Sequence, residues 1–286
     1  MISGLGQNIV DAAYVCSLFT PGALPLSQAT CIYGITYNAW AGMMAWTEFR
    51  KFAPIAIEWA RQNALPVWPT TFFPSTLLTK NKPVRTIEDI KGMRLLTLGG
   101  DVPKICKDLG GVPISMSPPD VYDALQKGAL DGVFYSVEYI TQWKWEELCK
   151  YWMPDTNIGG AVYAMAFNIK TFNTLPKDLQ EIIIKLGDSG ESTDIIWDMA
   201  RIKPLKTLVN DEMPKRGIEI VRWKKEDTER LTKITKSYVD VWAKEAQARG
   251  HADAGKVMDK WQELYKKHDA LYPQKLKKMG WVEPLQ

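Results

Sequence analysis

Apolar residues recur along this chain at two spacings, and the switches between them mark its elements. Residues 9–15, within "NIVDAAYV", read as a buried strand. "TPGALPLSQ" is a turn-rich loop, its backbone fixed by Pro and Gly. From Tyr37 to about Asn63 the large residues Trp40, Met43, Met44, Phe49, Ile55, Ile57 and Trp59 follow helical spacing, which predicts one or two helices. "LPVWPTTFFP" carries three prolines and predicts a strand that runs into a loop. "TIEDIKG" predicts one helical turn, capped by Thr86 and stopped by Gly92.

The clearest pattern lies in the middle. "MRLLTLGG" is a short strand, "DVPKICKDLGG" a helix stopped by Gly110, and "VPISMS" another strand. "PPDVYDALQKGALDGVFYS" follows, a helix opened by proline, buried through Val121, Leu125 and the Tyr122 ring, closed by Gly128, and succeeded by a strand. Strand, helix, strand, helix, strand over residues 93–136 is the mark of a parallel α/β sheet. Such sheets bind ligands beyond the carboxyl ends of their strands, here Thr97 to Gly100, Met116 to Ser117 and Phe134 to Ser136. "GGAVYAMAFNI" predicts a long apolar strand and "GIEIVRW" a short one. From Lys177 to Lys215 the pattern is helical; one such helix would span about 55 Å, longer than a domain is wide. Pro204 should kink it, and Gly187 and Gly190 weaken it. Two or three amphipathic helices complete the chain.

The 286 residues suffice for one large domain or two ordinary ones, and 46% apolar content supports a real core. A net charge of +3, with no Lys/Arg cluster interleaved with aromatics, gives no reason to expect a nucleic-acid partner. "KLKKMGW" reads as a solvated tail. The only histidines, His251 and His268, lie in a polar helical stretch, which argues against a histidine-built metal site or a serine–histidine catalytic set. Cys16, Cys31, Cys106 and Cys149 show no CxxC spacing. Their even number permits two disulfides, but a chain of this length does not need them, so four mostly buried thiols are expected.

"TKNKPVRTIEDIKGMRLLTLGG", "LGGVPISMSPPDVYDALQKGALDG" and "FNIKTFNTLPKDLQEII", in this order and at fitting distances, resemble the solute-binding subunits of TRAP transporters, the DctP type. The resemblance covers nearly the whole chain. It implies an α/β periplasmic binding protein fold of two domains with a ligand cleft between them and a long helix from about residue 177 spanning both. The first domain would comprise residues 1–73, about 163–200 and the C-terminal helices; the second, residues 74–162 and about 205–230. It further implies a periplasmic location, a small organic solute captured by hinge closure, and delivery to the small and large subunits of a membrane permease. Relatives carry a strand and a helix ahead of "ISGLGQNIVDAAYV" and a signal peptide ahead of those; this sequence has neither, so a domain short of one strand is expected.

In the resembling family an arginine in Gly-Leu-Lys-Ile-Arg pairs with the solute's carboxylate. Here the run is Gly92-Met93-Arg94-Leu95-Leu96, so Leu96 stands at that arginine and Arg94 two residues before it, a substitute on the same strand face. The other positions carried over are Cys16, Thr76, Pro118 and Tyr135, with Phe72 and Phe73 from the proline-rich loop. Such a wall is apolar with a few hydroxyls, so a neutral or weakly polar solute suits it better than a C4-dicarboxylate. Val133-Phe134-Tyr135 offers no carboxylate to a cation, and neither a metal nor an organic cofactor is expected. Two alternatives stand beside this reading: a non-transport sensor, and an enzyme on a similar scaffold with Cys16 or Cys106 as nucleophile.

Overall fold

The computed structural model of the chain describes residues 1–71, 73–97 and 99–281. Among the described residues nine strands are formed: β1 (Ala12–Val15), β2 (Ala64–Thr71), β3 (Ser75–Thr79), β4 (Arg94–Thr97), β5 (Val112–Ile114), β6 (Gly132–Ser136), β7 (Tyr151–Met153), β8 (Val162–Asn168) and β9 (Glu219–Ile220). They build two sheets, ordered β1-β8-β2 and β5-β4-β6-β3-β7-β9.

The small sheet is antiparallel throughout. Pro66 and Pro69 cannot donate to a ladder, and β2 accordingly sits at an edge, with its register shifting between Pro66 and Trp68. β8 lies at the centre and alternates strictly between buried and half-buried residues. In the large sheet, β4 runs parallel to β5 and β6, with helices Val102–Asp108 and Pro118–Gln126 as crossovers, as the strand-helix alternation predicts. Val121 and Leu125 are fully buried on the second crossover, while Tyr122 turns its hydroxyl to Glu147 (2.7 Å). The predicted turn after Thr86 is present as a 3-10 helix, Ile87–Ile90, with a reciprocal cap between Thr86 and Asp89.

Two strands carry no periodic signal in the sequence. Every residue of β3 is buried, because the strand is covered on both faces, and β7 is three residues long. Both join the sheet antiparallel to a neighbour, through β3 with β6 and β3 with β7, so the sheet is mixed rather than parallel.

The predicted helix over 177–215 divides at Ser189, whose backbone is extended (φ −78°, ψ 117°). Lys177–Asp188 precedes the break, and its Gly187 lies against β2 so closely that a Cβ would meet the Val67 carbonyl oxygen at 2.4 Å. Beyond the break Gly190–Trp197, Lys203–Thr207 and Met213–Lys215 are joined by π-helical turns Asp198–Ile202 and Leu208–Glu212. Each π-turn runs up to a proline, Pro204 or Pro214, whose missing N–H and bulky ring break the ordinary ladder. The tract leaves the small sheet at Gly187 and reaches the large-sheet side through Arg216, paired with the buried Glu146 (3.1 Å).

Helix Ala254–Asp269 packs on helix Ala39–Phe49 through rings such as Trp261 and Phe49, 5.1 Å apart. Its His268 bonds Glu48 (2.7 Å), which accounts for that histidine structurally. At the end of Ala39–Phe49 the buried Arg50 donates to the Pro66 carbonyl (2.9 Å) and pairs with Asp188, which also takes Lys51 (2.9 Å). One guanidinium thus ties a helix end, β2 and the first half of the long tract. Burial pushes the Asp188 carboxyl up, but the bonds from Lys51 and Arg50 outweigh it and hold it below the usual range. Asp188→Asn should lower stability at pH 7 by about 1–3 kcal/mol, less than a fully buried pair because Asp188 is partly exposed. A depressed carboxyl stabilises the fold above its unfolded pKa and loses that contribution as the pH falls through its folded value. Thermal melts should therefore show the gap between wild type and variant closing below about pH 4.

Candidate functional site

Two short crossings of the chain between the sheets, from β2 to β3 and from β7 to β8, lie side by side. The two crossings are bonded to each other: Ser75 N–H donates to the Gly159 carbonyl (3.0 Å) and Ile158 N–H to the Ser75 carbonyl (3.2 Å). Beside them lies a cavity of about 150 Å³. β6 ends in Tyr135 and Ser136, and β3 begins at Ser75, so the large sheet contributes its strand-end wall. Gly160, Ala161 and Tyr163 enter from the start of β8, and Leu18, Phe19 and Tyr33 from the loops after β1. Phe73 stands on the first crossing, its ring tilted against Trp197 at 5.3 Å.

Aromatic rings are braced edge-on. Tyr135 meets Tyr139 at 5.0 Å and Trp145 at 5.2 Å, both near perpendicular. Ser75 partly offsets the effect of burial on the Tyr33 hydroxyl. Burial raises the pKa of Tyr33, Tyr135 and Tyr163 above that of a free phenol; Glu138 raises Tyr135 further, and Cys16 adds to Tyr163. These walls are therefore uncharged at neutral pH and can donate or accept. Glu138 sits just behind, accepting from Phe73 N–H (3.1 Å) and from Ser136 Oγ. None of the described residues lining the cavity carries a formal charge.

β4 reaches this place through the loop after it. Gly100 has φ +69°, and a Cβ there would meet Leu18 Cδ1 at 2.5 Å and the Tyr33 ring at 3.7 Å. The loop of one sheet thereby rests on residues that follow a strand of the other.

Of the residues nominated from sequence, Tyr135 and Phe73 line the cavity. Thr76 is next to a wall residue but points the other way along β3, accepting from Trp152 Nε1 (2.9 Å); Ser75 takes the cavity face. Leu96 is 1% exposed, in register with Ile114 and Val133 inside the large-sheet core. Arg94 lies at the opposite end of β4 and is committed to Asp131, with Nη2 at 2.7 Å and Nε at 3.0 Å, a bidentate clasp between β4 and the turn before β6. Pro118 opens its crossover helix and does not line the cavity. Cys16 is buried behind the wall, beside Cys31. Phe72 lies outside the described residues. Sequence reasoning passed over Tyr33, Tyr139, Tyr163 and Ser75; the alternation along β8 is the one signal that marks Tyr163 as belonging to a distinct face.

A second, larger groove of about 870 Å³ runs along helices Lys225–Ala248 and Ala254–Asp269. Its volume is more usual for a ligand site. Several of its polar groups, however, are bound to one another or to the wall: Tyr37 to Thr235 (2.7 Å), Tyr265 to Asn38 N–H (2.9 Å), Asp155 to Arg222 (3.0 Å). It is a seam under the C-terminal helices, whereas the smaller cavity stands at strand ends. Among the described residues no cluster of three or more His, Cys, Asp or Glu is placed to hold a metal.

The family model of the bacterial extracellular solute-binding proteins, family 7, matches residues 62–245. A solute-binding protein of Albidiferax ferrireducens is 24% identical over 196 residues, 66% of this chain. That match spans only 56% of the relative's own length. Among solved structures, a TRAP periplasmic solute-binding protein of Desulfovibrio salexigens superposes with a TM-score of 0.80 at 26% identity, over 93% of this chain and 81% of that one. One from Rhodoferax ferrireducens with copurified benzoate gives 0.79 at 19%, over 95% and 83%. One from Bordetella bronchiseptica with bound mandelate gives 0.74 at 22%, over 93% and 83%.

The raised tyrosines lead to a direct expectation. In a spectrophotometric titration of the native protein, replacing Tyr33 or Tyr163 by Phe should leave absorbance below about pH 10.5 unchanged, because the free phenol value is near 10 and both groups ionise later. Stability should be complete below pH 10 and fall above it, since the unfolded chain releases those protons first.

Proposed function

The chain belongs to the bacterial extracellular solute-binding proteins of family 7, and from that membership we propose that it captures a small, uncharged, ring-bearing solute in the tyrosine-lined cavity and hands it to a membrane permease. The observation that carries the choice of solute is the wall: aromatic rings and hydroxyls, with no formal charge among the described lining residues. A cavity of about 150 Å³ matches one ring, since an apolar cavity of about that size takes benzene. The rings supply faces and edges, and Ser75, Ser136 and the phenols supply hydrogen bonds to an exocyclic polar group. A carboxylate would meet no cation and would stand close to Glu138, which bonds Phe73 and Ser136 in the wall itself. A buried unpaired charge costs about 3–5 kcal/mol, two to four decades of affinity. Succinate and malate fit this wall poorly.

Benzoate and mandelate in similar structures favour a second reading, an aromatic acid held by neutral hydroxyl donors. A calorimetric panel of phenol, benzyl alcohol, benzamide, benzoate, mandelate and succinate separates the two. Neutral one-ring compounds should bind, and Tyr135→Ala should weaken them about tenfold. Benzoate binding more tightly than benzamide at pH 7 would establish the acid; failure of every one-ring compound would sink both readings.

The mechanism is hinge closure. Domain one is read as residues 1–73, about 163–200 and the C-terminal helices, and domain two as 74–162 and about 205–230. Solute bound between them favours the closed form, which the permease subunits recognise. No covalent step is assigned. Cys106 is buried and its thiol pushed up to about 11, and Cys16 is likewise pushed up by burial, so neither is an activated nucleophile. The location is extracytoplasmic, in keeping with the family's description, and no helix among the described residues is long and apolar enough to cross a membrane. Small-angle scattering should give a smaller radius of gyration once a verified ligand saturates the protein; an unchanged radius would count against closure.

A further inference from the structure

Behind the cavity wall lie two thiols. Cys16 Sγ and Cys31 Sγ are 4.0 Å apart, 15 positions apart in sequence, and both buried. They form a cluster of their own with Ala161, packed against Leu18 and Tyr163. Those three neighbours also line the cavity. Both cysteines hang from anchored backbone. Cys16 follows β1, whose Val15 pairs with Ala164 of β8. Cys31 closes the helical turn Ser27–Cys31, which Glu58 pins by accepting from Ser27 N–H (2.8 Å) and Ser27 Oγ (2.5 Å).

We propose that Cys16 and Cys31 close as a disulfide under oxidising conditions, a covalent staple directly behind the solute cavity. A disulfide needs its sulfurs at about 2.05 Å, so closing the bond takes rotation of the two side chains from their 4.0 Å separation. Cys31 is the attacking sulfur. Ser17 Oγ lies at 3.2 Å and Thr30 Oγ1 at 3.7 Å from it. Burial pushes its thiol up, but the bonds with Cys16, Ser17 and Thr30 outweigh burial and bring it below the usual thiol value, which favours the attacking thiolate. Burial and the neighbouring Cys31 keep Cys16 protonated. The oxidant is itself a disulfide, glutathione disulfide or that of an oxidising protein. The Cys31 thiolate attacks one of its sulfurs and releases a thiolate; that thiolate takes the proton of Cys16, whose sulfur then attacks the mixed disulfide at Cys31 and releases the second. One S–S bond forms in the protein and one breaks in the oxidant, whose two thiols take up the protons of Cys16 and Cys31.

The closed loop holds Leu18 and Phe19 and ends two residues before Tyr33, so three parts of the wall hang on it. That consequence rests on the proposed cavity and on an extracytoplasmic location, where such bonds persist; host-cell fractionation tests the location separately. Cys106 and Cys149, buried and pushed up to about 11 and about 12, serve as internal controls.

The test counts thiols. The full chain is equilibrated with glutathione disulfide, or refolded in it, then unfolded in guanidinium and alkylated with iodoacetamide. The first Lys or Arg is Arg50, so one tryptic peptide carries both cysteines. That peptide should be lighter by two hydrogens and unalkylated until reductant is added, while Cys106 and Cys149 alkylate. The oxidised protein should melt about 5 °C higher than the reduced one. Cys16→Ala and Cys31→Ala should each abolish both effects. Four alkylated cysteines after both oxidation routes, or a bond involving Cys106 or Cys149, would overturn the proposal.

Discussion

The pair of backbone hydrogen bonds between Ser75 and the 158–159 segment is the constraint on which the arrangement depends. The two short passages of chain between the sheets, β2 to β3 and β7 to β8, run through it. Ser75 and Phe73 on one passage, and Gly160 and Ala161 on the other, owe their places in the cavity to this contact. It extends outward: Gly34 N–H donates to the Ile158 carbonyl (3.1 Å) and Gly160 N–H to the Thr36 carbonyl (2.9 Å). Backbone bonds of this kind are indifferent to side-chain identity, so the walls can vary while the crossing stays in place.

Around this crossing the molecule separates its charges from its cavity. Arg94 could reach a solute only if Asp131 released it and β4 ran the other way. Arg50 is spent on Asp188 and the Pro66 carbonyl. Glu138 bonds the backbone of Phe73 in the wall, and burial raises the pKa of Asp101 despite Lys104. The field inside is therefore set by hydroxyl dipoles and ring edges, which discriminate by shape and hydrogen bonding more than by net charge.

The unit from β4 to β6 was legible in the sequence because two amphipathic helices, each stopped by a glycine, separate three short apolar runs. β3 was not, since "STLLT" is buried on both faces and has no alternation to detect. The site was half legible. Tyr135 could be placed by resemblance and Phe73 by its proline-rich loop, but resemblance follows positions along strands, and a shift of one residue exchanges faces: hence Ser75, not Thr76, at the wall. Tyr33, Tyr139 and Tyr163 come from distant parts of the chain, and their convergence is a property of the crossing, invisible to any local pattern.

The two π-turns of the long tract also concern phase. Buried Trp197 and Ile202 are five residues apart across the first, and buried Leu208 and Met213 five apart across the second. In an ordinary helix that interval turns about 140° beyond a full circle and would carry the second residue well off the buried stripe. The widened turns absorb the surplus residue, so one face stays inward from the ring that backs Phe73 to the arginine that meets Glu146. In evolutionary terms, a single inserted residue here need not rotate everything downstream of it: the helix has two places where sequence length and facing are uncoupled.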